Sequence, residues 1–184
     1  MENLVIRKTM PEDLETLLQL KIDAFMDEFE LFQYEKHPLY QPIVRSCNLA
    51  HADDDYMFSH DWHQYFSTLD QQGAGDFSYV AIQNESIIGA VCALPGEYSG
   101  EEYTGIPLQE YNVIICIYVH PEHKNRGIGT KLLAFMEQQH ADRPWILDTP
   151  EISVKNQHFY AKCGYKKKLL EDGKYVFIKE RDTQ

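Results

Sequence analysis

The stretch YNVIICIYVHPEHKNRGIGTKLLAFM, residues 111–136, decides the fold of this chain. Its first nine residues are mostly β-branched or apolar on both faces, which is typical of a central strand that is covered on each side. A turn with two glycines follows, and then apolar residues recur at helical spacing. These apolar residues are Ile128, Leu132, Leu133 and Met136. The sequence therefore predicts a buried strand, a tight turn and an amphipathic helix.

The turn, residues 124–130 (KNRGIGT), is the strongest candidate binding site, and we call it the glycine turn. A helix start leaves its first amide N–H groups unpaired and carries partial positive charge. Glycines let a phosphate approach the backbone because no Cβ stands in the way. Lys124 and Arg126 add formal positive charge, which favours a diphosphate as the occupant. An ordinary strand-to-helix turn is the alternative interpretation.

Two other phosphate-binding patterns fit this turn less well. A Walker loop needs a glycine, four further residues and then Gly-Lys-Ser/Thr, and the sequence contains no such run. A dinucleotide fingerprint needs a third glycine, whereas this helix continues with Lys131 and Leu132. Both patterns are therefore disfavoured.

Outward from this unit, hydrophobic periodicity and turn residues predict the remaining elements. In chain order they are a strand over 4–7, a helix from about 14 to 29, a hairpin over 77–83 and 86–94, a loop over 96–107, a strand at 145–147, a helix over 154–163 and a closing hairpin over 165–170 and 175–179. Within residues 30–75 we expect only a helix from about 56 to 70. No repeat or linker divides the chain, so we expect a single mixed α/β domain over 1–184.

Composition limits the compartment and the partners. A formal net charge of −12 disfavours nucleic acid and anionic lipid, and it favours cationic small molecules or basic peptides. The N-terminus lacks a continuous apolar stretch, so we expect neither a signal peptide nor a membrane span, and we expect a cytoplasmic protein. The cysteines lie far apart without CxxC spacing, so we expect reduced thiols. They are Cys47, Cys92, Cys116 and Cys163.

Two segments resemble the GNAT superfamily of N-acetyltransferases. The run IYVHPEHKNRGIGTKLL, residues 117–133, is similar to the family signature Gln/Arg-x-x-Gly-x-Gly/Ala after a central strand. The run LDTPEISVKNQHFYAKCGY, residues 147–165, is similar to the family segment ending in Asn-x-x-Phe-Tyr-x-x-x-Gly-Phe/Tyr. The resemblance implies a GNAT-like fold, in which a central, mixed and mostly antiparallel sheet of six to seven strands is flanked by about four helices.

The resemblance also implies acetyl-CoA as cosubstrate and assigns residues to it. The backbone of Ile117, Tyr118 and Val119 would pair with the pantetheine arm, while the glycine turn would hold the pyrophosphate. The turn residues carried over are Lys124, Asn125, Arg126, Gly127, Ile128, Gly129 and Thr130. Lys124 stands where the family usually has Gln or Arg, so the charge is kept but the planar fork is lost. Asn156 would hydrogen-bond the cofactor arm.

Catalysis needs an acid and a base. Tyr160 matches the general acid of the family: when an amine attacks the thioester, the departing thiolate needs a proton, and a phenol can supply it. The attacking amine must first lose its own proton, and Glu110, just before the central strand, is the candidate base. Glu101 and Glu102 are alternatives. The competing interpretation for Tyr160 is an ordinary core aromatic residue, and for the three glutamates it is a solvated acidic loop.

The expected function is acetyl transfer to a primary amine, of a small cationic molecule or a peptide, by direct attack in a ternary complex. A catalytically silent CoA-binding or partner-binding module is the second hypothesis, and a nucleotide-binding protein is the third. His60 and His63 have no identifiable third ligand, so we predict no metal. The acidic runs 27–30 and 53–55 are interpreted as solvated faces, and homodimerisation stays open.

Overall fold

The computed structural model describes residues 3–13, 15–17, 19–21, 23–24, 77–99 and 102–181. Several expectations lie outside these residues. They are the helix over 56–70, the His60 and His63 pair, the acidic runs 27–30 and 53–55, Cys47 and Glu101.

Seven strands in the described part of the chain form one sheet. They are β1 (Val5–Lys8), β2 (Ser78–Gln83), β3 (Ser86–Pro95), β4 (Asn112–Val119), β5 (Trp145–Pro150), β6 (Lys166–Glu171) and β7 (Lys174–Lys179). Their spatial order is β1-β2-β3-β4-β5-β7-β6, and every neighbouring pair is antiparallel except the parallel pair β4–β5. The expected mixed, mostly antiparallel sheet is confirmed.

Three α-helical segments accompany the sheet among the described residues: α1 at residues 15–17, 19–21 and 23–24, α2 (Ile128–Gln139) and α3 (Val154–Lys162). The four residues predicted for the apolar face of α2 are the four buried ones. α2 packs on one face of the sheet with a large core cluster, whereas Leu17 and Leu20 of α1 pack on the opposite face against Val80 and Cys92. Residues 112–114 at the start of the central strand are buried, whereas Ile115 is exposed and residues 116–119 are half-buried, so the two-sided apolar pattern predicts the covering of only the first part of β4. None of the described helices has the length and apolarity needed to cross a bilayer.

Both predicted hairpins form, with strand ends shifted by one residue or less. Asn84 and Glu85 between β2 and β3 have φ of 50° and 67°, and Asp172 and Gly173 between β6 and β7 have φ of 49° and 74°. Two consecutive positive φ values define the mirror-image turn whose twist matches that of the flanking strands.

The central parallel pair is short. β4 and β5 are in register only at Asn112↔Trp145 and Val113↔Ile146, although both strands continue beyond these residues. A bulge also interrupts the β3–β4 ladder, because Cys92 pairs with Cys116 and Ala93 pairs with Ile114. The extra residue, Ile115, is 41% exposed in the middle of the sheet. We call the gap beyond the last paired residues the β4–β5 opening.

Candidate functional site

The glycine turn leads into the start of α2, which lacks a side-chain cap and is joined to β4 by residues 120–127. Gly127 caps α2 in the left-handed region, with φ of 77°, and Asn125 has φ of 63°. The N–H of Lys131 donates to the carbonyl of Gly127 at 3.1 Å, so the amides of the preceding helical residues have no acceptor within the helix. No side chain caps the helix. These amides form a site for an anion.

The backbone at Gly127 is not crowded by the described residues. A Cβ built on Gly127 would meet none of their heavy atoms within 4 Å. Arg126 and Thr130 are exposed, while Lys124 is half-buried and already makes a contact. The turn can therefore offer backbone donors together with a guanidinium to a phosphate group.

Gly129 is where the glycine turn, β4 and α3 meet. A Cβ at this position would lie 3.1 Å from Cζ of Phe159 and 3.7 Å from Cδ1 of Ile117. Only a residue without a side chain lets the Phe159 ring pack this closely on the first turn of α2. The second glycine thus positions α3 beside the candidate anion site.

Tyr160, the predicted general acid, is buried beside this junction. Its side chain is 8% exposed, and its ring centroid lies 5.2 Å from that of Phe159 and 6.0 Å from that of Phe177. It belongs to the same core cluster as Ile114 and Leu147. Ile114 and Leu147 are the first residues of β4 and β5 beyond the last paired positions. Tyr160 therefore packs on the side of the β4–β5 opening that faces α2.

A hydrogen-bonded cluster fixes the chain immediately after α3. The hydroxyl of Tyr165 donates to Glu137 Oε1 of α2 at 2.6 Å, and Lys179 Nζ of β7 binds Glu137 Oε2 at 2.6 Å. Burial, and then the neighbouring Glu137 carboxylate, hold the pKa of Tyr165 well above its usual value. Tyr165 therefore remains a phenol, and its backbone N–H donates to the carbonyl of Tyr160 at 3.1 Å. α2 and β7 thus hold the end of the helix that carries Tyr160.

The other predicted cosubstrate contacts lie along β4 and α3. Ile117, Tyr118 and Val119 pair with β3, are half-buried, and have no register partner on β5. Asn156 is half-buried on α3, one helical turn before Tyr160 and on the same face.

Glu110, the candidate base, lies elsewhere. It ends a short 3-10 helix (Leu108–Glu110) before β4, and its side chain is exposed. The pKa of the neighbouring Tyr111 is raised, mainly by burial and secondarily by the Glu180 and Glu110 carboxylates. Glu110 is three residues before Val113, so about 10 Å of extended chain separates it from the start of the opening. Glu102, its alternative, is also exposed.

One polar cluster was missed by the sequence analysis. Asp148 of β5 accepts a hydrogen bond from the hydroxyl of Tyr103 at 2.9 Å. It also forms an ion pair with Lys174, whose Nζ lies 3.1 Å from the carboxylate. The one available signal was an aspartate inside the apolar strand sequence WILD. Its partners are 45 and 26 residues away, too far for local patterns to connect.

Comparison with known proteins identifies the class. A family model described as "Acetyltransferase (GNAT) domain" matches residues 74–167. A comparison with curated protein sequences gave no match. Because the family match covers about half of the chain, the chain belongs to the GNAT acetyltransferase family. It is an acyltransferase that depends on acetyl-CoA.

Solved structures share the fold at low sequence identity. The PaiA N-acetyltransferase from Thermoplasma acidophilum, solved in complex with coenzyme A, is 16% identical over 97% of this chain and 99% of its own, with a TM-score of 0.66. A GNAT-family acetyltransferase from Streptococcus agalactiae is 19% identical over 98% of this chain and 96% of its own, with a TM-score of 0.67. One from Brucella melitensis, solved with acetyl-CoA, is 18% identical over 100% of this chain and 91% of its own, with a TM-score of 0.54.

Proposed function

We propose that this protein transfers the acetyl group of acetyl-CoA to a primary amine, carried by a small cationic molecule or by a peptide. The observation that carries the proposal is the junction at Gly129. There a helix start without a side-chain cap, able to hold a diphosphate, contacts α3, which bears the family-matched acid Tyr160.

The anionic end of acetyl-CoA binds at the glycine turn. The amides of residues 125–130 hold the pyrophosphate, and Lys124 and Arg126 supply counter-charge. The charge distribution supports this placement. Residues 121–184 contain 12 Lys and Arg against 9 Asp and Glu, whereas residues 1–120 contain 5 against 20. An anionic cosubstrate is therefore favoured beside the C-terminal part of the chain.

The pantetheine arm then extends along β4. The backbone of Ile117, Tyr118 and Val119 pairs with it where β5 has no register partner, and Asn156 of α3 hydrogen-bonds it from the helical side. This path leads the thioester toward Ile115 and the β4–β5 opening.

Transfer is direct. The neutral amine nitrogen attacks the thioester carbon, the C–N bond forms and the C–S bond breaks. The hydroxyl proton of Tyr160 passes to the departing sulfur, and the extra proton on the new amide nitrogen passes to the Tyr160 phenolate, which restores the phenol. Positioning of both reactants supplies much of the rate, and proton transfer by Tyr160 contributes on the order of 10² to 10⁴. Glu110 removes the proton of the amine. Because about 10 Å of chain separates Glu110 from the opening, the proton passes through ordered water.

A catalytically silent CoA-binding or partner-binding module is the second candidate. The deep burial of Tyr160 against Phe159 and Phe177 favours it, since a core aromatic residue would have the same surroundings.

Thiol release separates the two candidates. The protein is incubated with acetyl-CoA and a panel of polyamines, aminoglycosides, amino acids and peptides, and free CoA thiol is measured. The transferase releases thiol with at least one amine. CoA binding without release from any of them supports the module instead.

A further inference from the structure

Asp148 borders the β4–β5 opening on the face away from α2 and α3. It lies two residues beyond Ile146, the last residue of β5 in register with β4. Trp145 and Leu147 join the core cluster under α2, whereas Ile146 joins a separate cluster on the other face. Because side chains alternate along a strand, Asp148 points to the same face as Ile146.

The Asp148 carboxylate is oriented by the loop before β4. Tyr103 packs against the hydrophobic cluster that contains Ile146, and its hydroxyl donates to Oδ2 of Asp148 at 2.9 Å. Oδ1 has no hydrogen-bond partner within the described part of the chain, and the side chain is 18% exposed. One carboxylate oxygen is therefore fixed, and the side chain as a whole stays partly exposed.

Lys174 shows which chemical group fits against this carboxylate. Its Nζ, a primary alkylammonium, lies 3.1 Å from Oδ2 of Asp148. The side chain of Lys174 is 47% exposed at the start of β7, and ion pairs of such exposure contribute little to stability. Another alkylammonium can therefore take its place at small cost.

We propose that Asp148 binds the ammonium group of the acceptor at the β4–β5 opening, and that Lys174 occupies this position until the acceptor arrives. The inference rests on the proposed function and extends it to the acceptor side. Tyr160 packs on the side of the β4–β5 opening that faces α2, and Asp148 lies on the opposite side. Acetyl-CoA and the acceptor thus approach the opening from two faces, so both can be bound at once in a ternary complex.

Opposite effects of two substitutions test the proposal. The probe is 1,5-diaminopentane, whose ends match the Lys174 ammonium, with pentane-1,5-diol as the neutral analogue. Binding to the full chain is measured by ligand-observed NMR with CoA present. Asp148→Asn weakens diamine binding about 10- to 100-fold, because a charged hydrogen bond is lost. Lys174→Met strengthens it about threefold, because the competing cation is gone. Diol binding changes in neither variant.

Glu97→Gln is the matched control, because it removes one negative charge from another ion pair, that with Arg143. It leaves diamine binding unchanged. If Asp148 only stabilises the hairpin, both variants shift the thermal unfolding midpoint and neither changes diamine binding, which overturns the proposal. The proposal is also overturned if neither the wild type nor Lys174→Met binds the diamine. If Asp148→Asn does not fold, the diamine affinity of Lys174→Met relative to wild type decides whether the proposal stands.

Calorimetry with CoA on the same samples separates this inference from the proposed function. No CoA binding by the wild type removes both. CoA binding by all variants, with equal diamine binding, removes the role of Asp148 and leaves the acetyltransferase proposal standing.

Discussion

The two ends of α2 differ in how completely their polar groups are paired. At its first turn, the cap is a glycine, no side chain caps the helix, and the leading amides have no acceptor in the helix. At its last turn, the N–H of His140 donates to the carbonyl of Met136 at 3.1 Å. The His140 ring stacks on Phe77 at a centroid distance of 3.8 Å, and a 2.7 Å hydrogen bond joins its Nε2 to the hydroxyl of Tyr79.

This difference separates stability from function within one helix. A side-chain cap typically contributes about 1 kcal/mol, and α2 lacks that contribution at the glycine turn. A bound anion can satisfy the same amides, so part of the missing stabilisation returns only with the ligand. The last turn instead fastens the helix to β2 and the residue before it. We therefore expect substitutions near the first turn to change ligand handling and those at the last turn to change stability.

The largest expected effect is on turnover, beside the first turn. Tyr160→Phe should lower kcat by about 10² to 10⁴ while CoA affinity stays the same, because only the acidic proton is lost. Thiol release and calorimetry measure the two quantities. Tyr79→Phe is the matched control, since it removes a phenol at the other end of α2 and should leave kcat unchanged. Equal kcat values for wild type and Tyr160→Phe would remove Tyr160 from its role.

Next comes cosubstrate affinity at Gly129. Gly129→Val should weaken CoA binding by more than about tenfold, because its side chain would meet the Phe159 ring, where even a Cβ lies 3.1 Å from Cζ. Titration calorimetry gives the dissociation constant. Ala134→Val places the same residue at an exposed position of the same helix and should bind CoA normally. Undiminished CoA affinity in Gly129→Val contradicts the assignment of the first turn.

His140→Ala tests the opposite end. Losing the stack on Phe77 and the bond to Tyr79 should lower the free energy of unfolding by about 2 kcal/mol and leave CoA affinity unchanged. Urea unfolding of the apo protein measures the first quantity. His158→Ala, at an exposed position of α3, should have little effect on stability. A loss of CoA affinity in folded His140→Ala would break the division between the two ends.

The smallest effect is expected at Arg126. Arg126→Ala should weaken CoA binding about two- to fivefold at low salt, because an exposed charge near a helix start contributes modestly. The difference from wild type should shrink as salt screens the charge. Lys168→Ala removes an exposed charge from β6 as the control. A salt-independent difference would indicate that Arg126 acts through structure rather than charge.

Local patterns predicted the elements, whereas tertiary contacts decided the site. The β4 strand and the four buried residues of α2 follow from periodicity, and both hairpins follow from their turn residues. The bulge at Ile115 and the divergence after Val113 have no local signal, because they depend on how β3 and β5 pair. The contact between Tyr103 and Asp148 likewise joins a loop to a strand across the sheet. Motifs predict the cosubstrate end, whereas the proposed acceptor end depends on tertiary contacts.

The central claim is that the amides at the start of α2 hold the diphosphate of coenzyme A. Calorimetric titration of the purified, folded wild-type protein with CoA and with pantetheine, which lacks the diphosphate, tests it most directly. We predict measurable CoA binding and pantetheine binding weaker by at least about 100-fold, since several charge-assisted hydrogen bonds are absent. Equal affinity for the two compounds, or no heat with CoA, would contradict the claim.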